Sequence, residues 1–224
     1  FPIPPHWNRF GAYDFGFNHP AVFGWFATDE DGNVYLYRDL IKSQHRVDQF
    51  AALINQYEDT KKLYPIVAGK DCWTTKGVLT KDSPPTIAEE FNKHGIYLKP
   101  ATIDRIQGAA QLRNYLAWQG RPNNKPRFYI FENCVQTYDC IARMIHDEDR
   151  PEDVLKVDAT EGDINTGDDA YDMVRYGLMS RPLLSDVLKP SYKWGSPEWH
   201  AAEVRKMEEE AIEHFNKQQE QHLM

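Results

Sequence analysis

Short segments rich in apolar residues open the chain and indicate neighbouring strands of a sheet. Residues 10–17 and 21–28 are rich in aromatic and small apolar side chains, and residues 34–41 alternate between apolar and polar positions. Asp31-Gly32, between the second and third segments, is a hairpin signal because these residues tolerate the backbone of a tight turn. The pattern therefore predicts an antiparallel meander of three strands.

The rest of the chain alternates between helical periodicity and short apolar runs. Apolar residues recur every three or four positions in segments that predict helices over 47–57, 86–94, 104–118 and 135–144. Thr86 and Glu89 form a capping box at the start of the second helix. Short apolar runs predict strands at 65–68, 96–99 and 127–131. This order is typical of an α/β domain with a central mixed sheet flanked by helices.

The composition changes at both ends of the chain. Residues 1–9 are rich in proline and predict an extended linker or entry arm. Residues 10–185 are enough for one domain with its own core. Residues 186–224 predict a C-terminal extension with a polar helix. Because the chain begins with Phe1 rather than Met, we expect it to be a fragment of a longer protein.

Overall composition excludes some classes of protein. Hydrophobic residues make up 41% of the 224 positions, and no apolar run approaches the roughly 20 residues of a membrane span. The net charge of −8 argues against strong nonspecific nucleic-acid binding by the whole surface, although basic residues in the middle of the chain are compatible with a local basic rim. Three cysteines show neither metal-binding spacing nor a disulfide framework, which favours a reducing cytosol.

Aspartates lie where predicted strands end or where a predicted amphipathic helix begins. Asp14 and Asp71 occupy strand ends, and Asp168, Asp169 and Asp172 begin the helix. Asp is depleted within strands, and Asp169 and Asp172 share a helix face where they repel each other unless a cation intervenes. Two Mg²⁺ or Mn²⁺ ions about 3.5–4 Å apart, held by carboxylates, can activate water against a phosphodiester. The alternative is solvated surface aspartates, since the chain has 34 acidic residues.

Five segments, in this order, carry a resemblance to a known family. They are Phe-x-Ile-Pro-Pro-x-Trp at 1–7, Asp-Phe-Gly-Phe-Asn-His-Pro-Ala-Val at 14–22, Gly-Lys-Asp-Cys-Trp at 69–73, the residues over 87–108, and Asp-Asp-Ala-Tyr-Asp-Met-Val-Arg-Tyr-Gly-Leu-Met-Ser at 168–180. Together they resemble the nuclease domain of the large terminase subunit of tailed bacteriophages. The resemblance covers roughly residues 1–182.

The resemblance implies an RNase H-like fold and a metal-dependent endonuclease that cuts concatemeric viral DNA during packaging. Two Mg²⁺ or Mn²⁺ ions would be held by Asp14, Asp71, Asp172 and Asp169. Related terminases often carry His at the position of Asp169, so Asp169 either binds a metal directly or supports Asp172. We expect Asp168 to cap the helix. Because the ligands repel one another, we also expect the removal of one to maintain or raise the metal-free stability.

The resemblance also implies partners. These are double-stranded DNA, an upstream packaging ATPase domain of the same polypeptide, the portal and the small terminase subunit, in the host cytoplasm. The nucleotide loop Gly-x-x-x-x-Gly-Lys-Ser/Thr does not occur in this sequence. Lys70, Lys76 and Arg105 are candidates for DNA phosphate contacts, and His19 is either a DNA or proton-transfer residue or structural. A Holliday-junction resolvase or integrase-like nuclease and a non-catalytic docking module are the alternative functions.

Overall fold

The computed structural model describes residues 1–74, 84–121, 123–157 and 167–182. In this part of the chain, one sheet contains the strands β1 Asn8–Asp14, β2 Ala21–Thr28, β3 Val34–Lys42, β4 Ile66–Ala68, β5 Leu98–Pro100 and β6 Phe128–Ile130. The α-helices are α1 Val47–Tyr57, α2 Ile87–Lys93, α3 Arg105–Leu116, α4 Val135–Arg143 and α5 Asp169–Met179. The predicted polar helix near the C-terminus lies outside the described residues.

The sheet is mixed, with the strand order β5-β4-β1-β2-β3-β6. β1, β2 and β3 pair antiparallel and form the predicted meander. β4 is parallel to β1, β5 is parallel to β4, and β6 is parallel to β3. The prediction of an α/β domain whose mixed sheet opens with a meander is therefore confirmed.

The central strand β2 has apolar cores on both sides. All eight of its residues are buried. Phe23 and Trp25 belong to the core that also contains residues of α1 and α2, whereas Val22 and Phe26 belong to the core formed with α3, α4 and α5. This division follows from the alternation of side chains along a strand.

Helix α5 lies unusually close to the sheet because glycines permit it. A Cβ added to Gly24 in β2 would lie 2.3 Å from Met173 Sδ, and one added to Gly177 would lie 2.8 Å from the ring of Phe26. Larger residues at either glycine would push the helix away. This close packing fixes where the N-terminal turn of α5 lies relative to β1 and β2.

Several strand bounds differ from the prediction, including the start of β1 at Asn8 instead of residue 10, whereas a predicted helix cap is confirmed. β1 ends at Asp14 instead of residue 17 because the chain turns sharply at Gly16, where an added Cβ would lie 2.3 Å from the carbonyl oxygen of Pro20. β5 begins two residues later than predicted, after the buried Ile96. The capping box of α2 is present: Thr86 Oγ1 accepts from the Glu89 backbone N–H at 3.1 Å.

A further difference is the buried face of α3. The periodicity predicts Ile106 and Leu116 on the apolar face, yet these side chains are 49% and 39% exposed. Gly108 and Tyr115 are buried instead. The reason is that α3 packs against α5 through Gly108, where the absence of a side chain makes room for Arg175. Hydropathy alone does not identify glycine as a contact residue.

Candidate metal centre

Two aspartates are brought together by neighbouring parallel strands. Asp14 is the last residue of β1, and Asp71 lies in a short 3-10 helix, Lys70–Trp73, that follows β4. Because β1 and β4 are parallel neighbours, both carboxylates lie at the same edge of the sheet. Gly69 lies against Asp14, and an added Cβ would stand 3.5 Å from Asp14 Oδ1.

The N-terminal turn of α5 supplies the other carboxylates. Asp168 precedes this helix, and Asp169 and Asp172 lie in its first turn. With Asp14 and Asp71 they line one cleft of about 280 Å³. The remaining lining residues are Phe15, His19, Lys70, Ile103, Arg105, Lys156, Arg175 and Tyr176.

The carboxylates differ in their access to solvent. Asp71 is exposed, Asp14 and Asp169 are partly buried, and Asp172 is only 9% exposed. The cleft therefore extends from solvent at Asp71 to the protein interior at Asp172.

Burial and mutual repulsion make the acidic cluster unfavourable when it is fully charged. Burial raises the pKa of Asp14 well above its ordinary value, and the carboxylates of Asp172, Asp169 and Asp168 raise it further. Burial also raises the pKa of Asp169, to about 6, and that of Asp168. Desolvation and like charge both disfavour the ionised form. A cation between these groups would relieve both effects.

Arg175 holds Asp172 from inside the protein. Its side chain is 1% exposed, its Nε donates to Asp172 Oδ1 at 3.2 Å, and its Nη2 lies 3.1 Å from the same oxygen. Its Nη1 donates to the carbonyl oxygens of Ile103 and Asp104 at 2.9 and 3.2 Å. An added Cβ at Gly108 would lie 2.3 Å from Arg175 Cγ. Arg175 is thus fixed by four contacts and orients the Asp172 carboxylate.

Arg105 is shared among three aspartates. Its Nε donates to Asp153 Oδ2 at 2.8 Å, and its Nη1 donates to Asp168 Oδ2 and to both carboxylate oxygens of Asp172 at 3.3 Å. Asp153 is 4% exposed, and its Oδ1 accepts from the Val154 backbone N–H at 2.8 Å. The shortest ion pair of Arg105 is therefore with Asp153, which is itself held in place.

Asp169 has one oxygen with a partner and one without. Its Oδ1 lies 3.6 Å from His19 Nδ1. Its Oδ2 is buried and has no hydrogen-bond partner among the described residues. A buried acceptor of this kind normally binds a proton donor, a water or an ion. Asp169 Oδ2 is therefore an unused oxygen donor in the cleft.

Among the described residues, no three His, Cys, Asp or Glu side chains stand close enough in this conformation to enclose an ion. Asp168, Asp172 and Asp169 instead pair with Arg105, Arg175 and His19, and these pairings offset part of the like-charge repulsion. The donor set nevertheless fits Mg²⁺ or Mn²⁺, which take carboxylate oxygens. Carboxylates from separate elements and the unused oxygen of Asp169 support this assignment.

Two solved structures share this architecture. The nuclease domain of the P22 large terminase gives a TM-score of 0.61, with 23% identical residues over 84% of this chain and 90% of that one. The large terminase of a thermophilic bacteriophage, in complex with ATP-γ-S, gives 0.59, with 16% identity over 80% of this chain. No protein-family model and no curated protein sequence matches the chain.

The chain has the fold of a large-terminase nuclease domain. The expected RNase H-like α/β architecture is thereby confirmed. The chain spans 41% of the length of the thermophilic-phage subunit. At these identities the likeness concerns the fold alone. No helix in the described ranges has the length and hydropathy needed to cross a membrane.

Within this terminase-like fold, the cleft contains all but one of the residues predicted as metal ligands or DNA contacts. Those that line it are Asp14, Asp71, Asp169, Asp172, Lys70 and Arg105. The exception, Lys76, lies outside the described residues. Lys70 is exposed next to Asp71, whereas Arg105 is engaged by aspartates. The structure thus brings the four predicted ligands together but places the two basic residues in different environments.

Asp168 does not have its predicted role. It stands at the N-cap position of α5 but makes no capping hydrogen bond through its side chain. Its Oδ2 accepts from Arg105 Nη1 instead, because a guanidinium is a stronger donor than a backbone amide. Helix-capping statistics do not include such a competing partner.

Three residues of the site were missed by the sequence analysis. Arg175 follows Asp172 by three positions on a predicted helix, and this spacing of opposite charges was a usable signal. Asp153 and Lys156 belong to a segment that folds back on α3 without any periodic pattern. Lys156 lines the cleft, and its charge offsets part of the rise that burial and Asp172 cause in the pKa of Asp168.

Proposed function

We propose that this chain is a metal-dependent endodeoxyribonuclease that cuts concatemeric viral DNA during genome packaging. The observation that carries the proposal is the meeting of carboxylates from β1, the turn after β4, and α5 in one cleft. These elements are far apart in sequence, and their convergence is what oxygen-ligand metal chemistry requires. The terminase-nuclease fold makes double-stranded DNA the favoured substrate.

Asp14, Asp71, Asp169 and Asp172 would hold two Mg²⁺ or Mn²⁺ ions. Such ions lower the pKa of water and stabilise negative charge on a phosphodiester. The protein contributes ligand orientation: Arg175 fixes Asp172, and Asp14 is fixed at the end of a fully paired strand. These constraints hold the carboxylates against their mutual repulsion.

The thiol next to the proposed ligand Asp71 in sequence is unsuited to a covalent mechanism. Cys72 follows Asp71 but is fully buried, and burial raises the pKa of its thiol well above the ordinary value. The thiolate needed for attack is therefore scarce. We infer that water, and not this thiol, is the nucleophile, and Lys70 is exposed at the cleft to contact a DNA phosphate.

The chain would act within a longer packaging enzyme. The large terminase of the thermophilic bacteriophage matches this chain over 41% of its length and was crystallised with ATP-γ-S. We infer that a packaging ATPase precedes this domain in the same polypeptide, with the portal and the small subunit as further partners. The work would take place in the host cytoplasm. DNA delivery by these partners would compensate for the overall charge of −8.

Plasmid cleavage by the purified chain tests the proposal. Supercoiled DNA should be nicked and linearised with Mg²⁺ or Mn²⁺, and EDTA should stop the reaction. Asp14→Ala is the inactive control. Cleavage that persists in EDTA would exclude the metal mechanism. A strong preference for four-way junctions over linear duplex would favour the resolvase alternative.

A further inference from the structure

Arg105 lies within the acidic cleft and not on its rim. Its side chain is 25% exposed, and its Nη1 donates to Asp168 and to both oxygens of Asp172. Asp172 is one of the proposed metal ligands. A guanidinium therefore already neutralises carboxylate charge that divalent ions would neutralise.

We propose that Arg105 is a tethered counter-ion of the metal site. It pairs with Asp168 and Asp172 in the metal-free protein, releases them when divalent ions bind, and is retained in the cleft by Asp153. Its Nη1 is then available to a phosphate oxygen of the DNA. This inference rests on the proposed nuclease function and assigns a positioning role to Arg105.

The two arginines that contact Asp172 differ in how readily each can release its carboxylate. Arg175 is 1% exposed and is also bound to the carbonyl oxygens of Ile103 and Asp104. Arg105 is partly exposed, and its contacts to Asp172 measure 3.3 Å, at the long end for charged hydrogen bonds. Release of Arg105 would leave Asp172 with Arg175 as its partner. The buried charge of Asp172 would therefore remain paired, and the charge of Lys156, which lines the same cleft, would still act on Asp168.

Asp153 provides the tether. It accepts from Arg105 Nε at 2.8 Å, which is 0.5 Å shorter than the contacts of Nη1. Its other oxygen is fixed by the Val154 N–H, and the Val154 carbonyl accepts from Arg105 Nη2 at 3.4 Å. The planar guanidinium can keep these contacts while its remaining N–H groups change partners. A released Nη1 would then stay in the cleft.

Mn²⁺ titration of the full 224-residue chain, by calorimetry without DNA, tests this exchange. Arg105→Ala removes the competitor and should tighten Mn²⁺ binding by about tenfold, since opposite charge near a carboxylate competes with other cations. Asp153→Asn removes the tether, leaves Arg105 wholly on Asp168 and Asp172, and should weaken Mn²⁺ binding by about threefold or more. The two variants thus shift the affinity in opposite directions.

The matched control is Arg113→Ala on the same helix, because Arg113 Nη1 donates to the Glu152 carbonyl at 2.8 Å and not to a site carboxylate. This variant should leave the Mn²⁺ affinity unchanged. Arg105→Lys, which keeps the charge but not the fork, should bind Mn²⁺ with an affinity between those of wild type and Arg105→Ala. If circular dichroism shows that Arg105→Ala does not fold, Arg105→Lys takes its place in the test.

A cleavage assay at saturating Mn²⁺ completes the test. Arg105→Ala should cut DNA more slowly, by about tenfold or more, despite its tighter metal binding, because a phosphate contact is lost. Weaker or unchanged Mn²⁺ binding by Arg105→Ala would overturn the inference, since a purely structural arginine predicts weaker binding for both variants. If wild type still binds Mn²⁺ and cuts DNA, the proposed function survives that result. If wild type does neither, both fail.

Discussion

The two faces of the sheet both bury apolar side chains, but they differ in what else they bury. On the face covered by α1 and α2, large residues such as Phe50, Ile54 and Phe91 are almost completely excluded from solvent. The face covered by α3 and α5 has a similar apolar layer. Among the described residues it also buries four charged side chains, each at most 9% exposed: Asp153, Asp168, Asp172 and Arg175.

The difference separates stability from chemistry. Apolar burial on the α1 face stabilises the fold without demanding exact partners. Buried charges on the α5 face are tolerated only because each has a partner, and removing one partner is more harmful than the pair is favourable. Asp14 and Asp169, which have fewer partners, have raised pKa values, and burial raises the pKa of Asp168 despite its pairing with Arg105. This surplus of negative charge is what a metal ion would bind.

The largest expected effect is a loss of DNA cleavage without a loss of stability. Asp14→Asn should lower the cleavage rate by about a thousandfold, equivalent to about 4 kcal/mol of transition-state stabilisation. Its metal-free stability should hold or rise, because burial and three neighbouring carboxylates disfavour the charged form. Plasmid cleavage and urea unfolding in EDTA measure the two quantities. Near-normal cleavage would remove Asp14 from the metal centre.

Phe50→Ala on the other face is the matched contrast. Phe50 is 1% exposed, so its truncation should reduce the free energy of unfolding by about 3–5 kcal/mol. The remaining folded protein should cleave DNA at nearly the wild-type rate when Mn²⁺ is saturating. A comparable loss of cleavage in folded Phe50→Ala would show that the two faces are not separable.

Asp172→Ala, unlike Asp14→Asn, should lower the metal-free stability. This differs from the sequence-based expectation that the removal of any ligand maintains or raises that stability. It leaves Arg175, which is 1% exposed, without its carboxylate. An unpaired buried charge costs about 3–5 kcal/mol, which outweighs the relief of repulsion. Urea unfolding in EDTA gives the value. Adding Arg175→Met should recover part of the loss, and a stable single variant would show that Arg175 does not need Asp172.

Gly108→Ala tests the room that α3 provides for Arg175. Helix propensity alone predicts a gain of about 1 kcal/mol. The clash with Arg175 Cγ, 2.3 Å from the new Cβ, predicts a loss of about 1–3 kcal/mol. The sign of the measured change in the free energy of unfolding therefore shows whether helix propensity or the clash with Arg175 dominates. Ala110→Gly, at an exposed position of the same helix, should show only the propensity effect.

Much of the fold was predictable because its signals are local. The apolar run of residues 21–28 and the helical stripe of 47–57 gave the bounds of β2 and α1 as the structure has them. A continuous apolar run is typical of a strand buried on both faces, and the period of the stripe is typical of a helix that packs on one face. The buried face of α3 was not predictable in this way, because Gly108 is buried where the absence of a side chain makes room for Arg175.

The site was predictable to the extent that topology determines it. Asp14 and Asp71 follow strands, and the ends of parallel neighbours meet at one edge of a sheet. The pairing of Arg105 with Asp153 joins residues 48 positions apart with no periodic signal. Arg105 was accordingly predicted as a DNA contact, and its place among the aspartates depends on tertiary structure.

The smallest expected effect is the pH dependence of the metal-free stability. The pKa of Asp169 is raised to about 6 by burial and by Asp168, whereas an unfolded Asp titrates near about 3.9. Between these values the folded chain holds a proton that the unfolded chain has released. Stability should therefore fall as the pH rises through this window, by about 1–2 kcal/mol for this group.

Urea unfolding in EDTA at pH 4.5 and pH 7 measures this slope, and Asp169→Asn should reduce it because the titrating group is gone. Asp48→Asn on the opposite face is the control: Arg46 lowers the pKa of Asp48, so this variant should not reduce the slope. At pH 7, Mn²⁺ should raise the free energy of unfolding of the wild-type chain, because the bound cation neutralises carboxylate charge that a proton neutralises at lower pH. Mn²⁺ should not raise the free energy of unfolding of Asp14→Asn. If the stability of Asp169→Asn changes with pH as much as that of wild type, another carboxylate of the cleft titrates in this range. Asp14 is then the next residue to test.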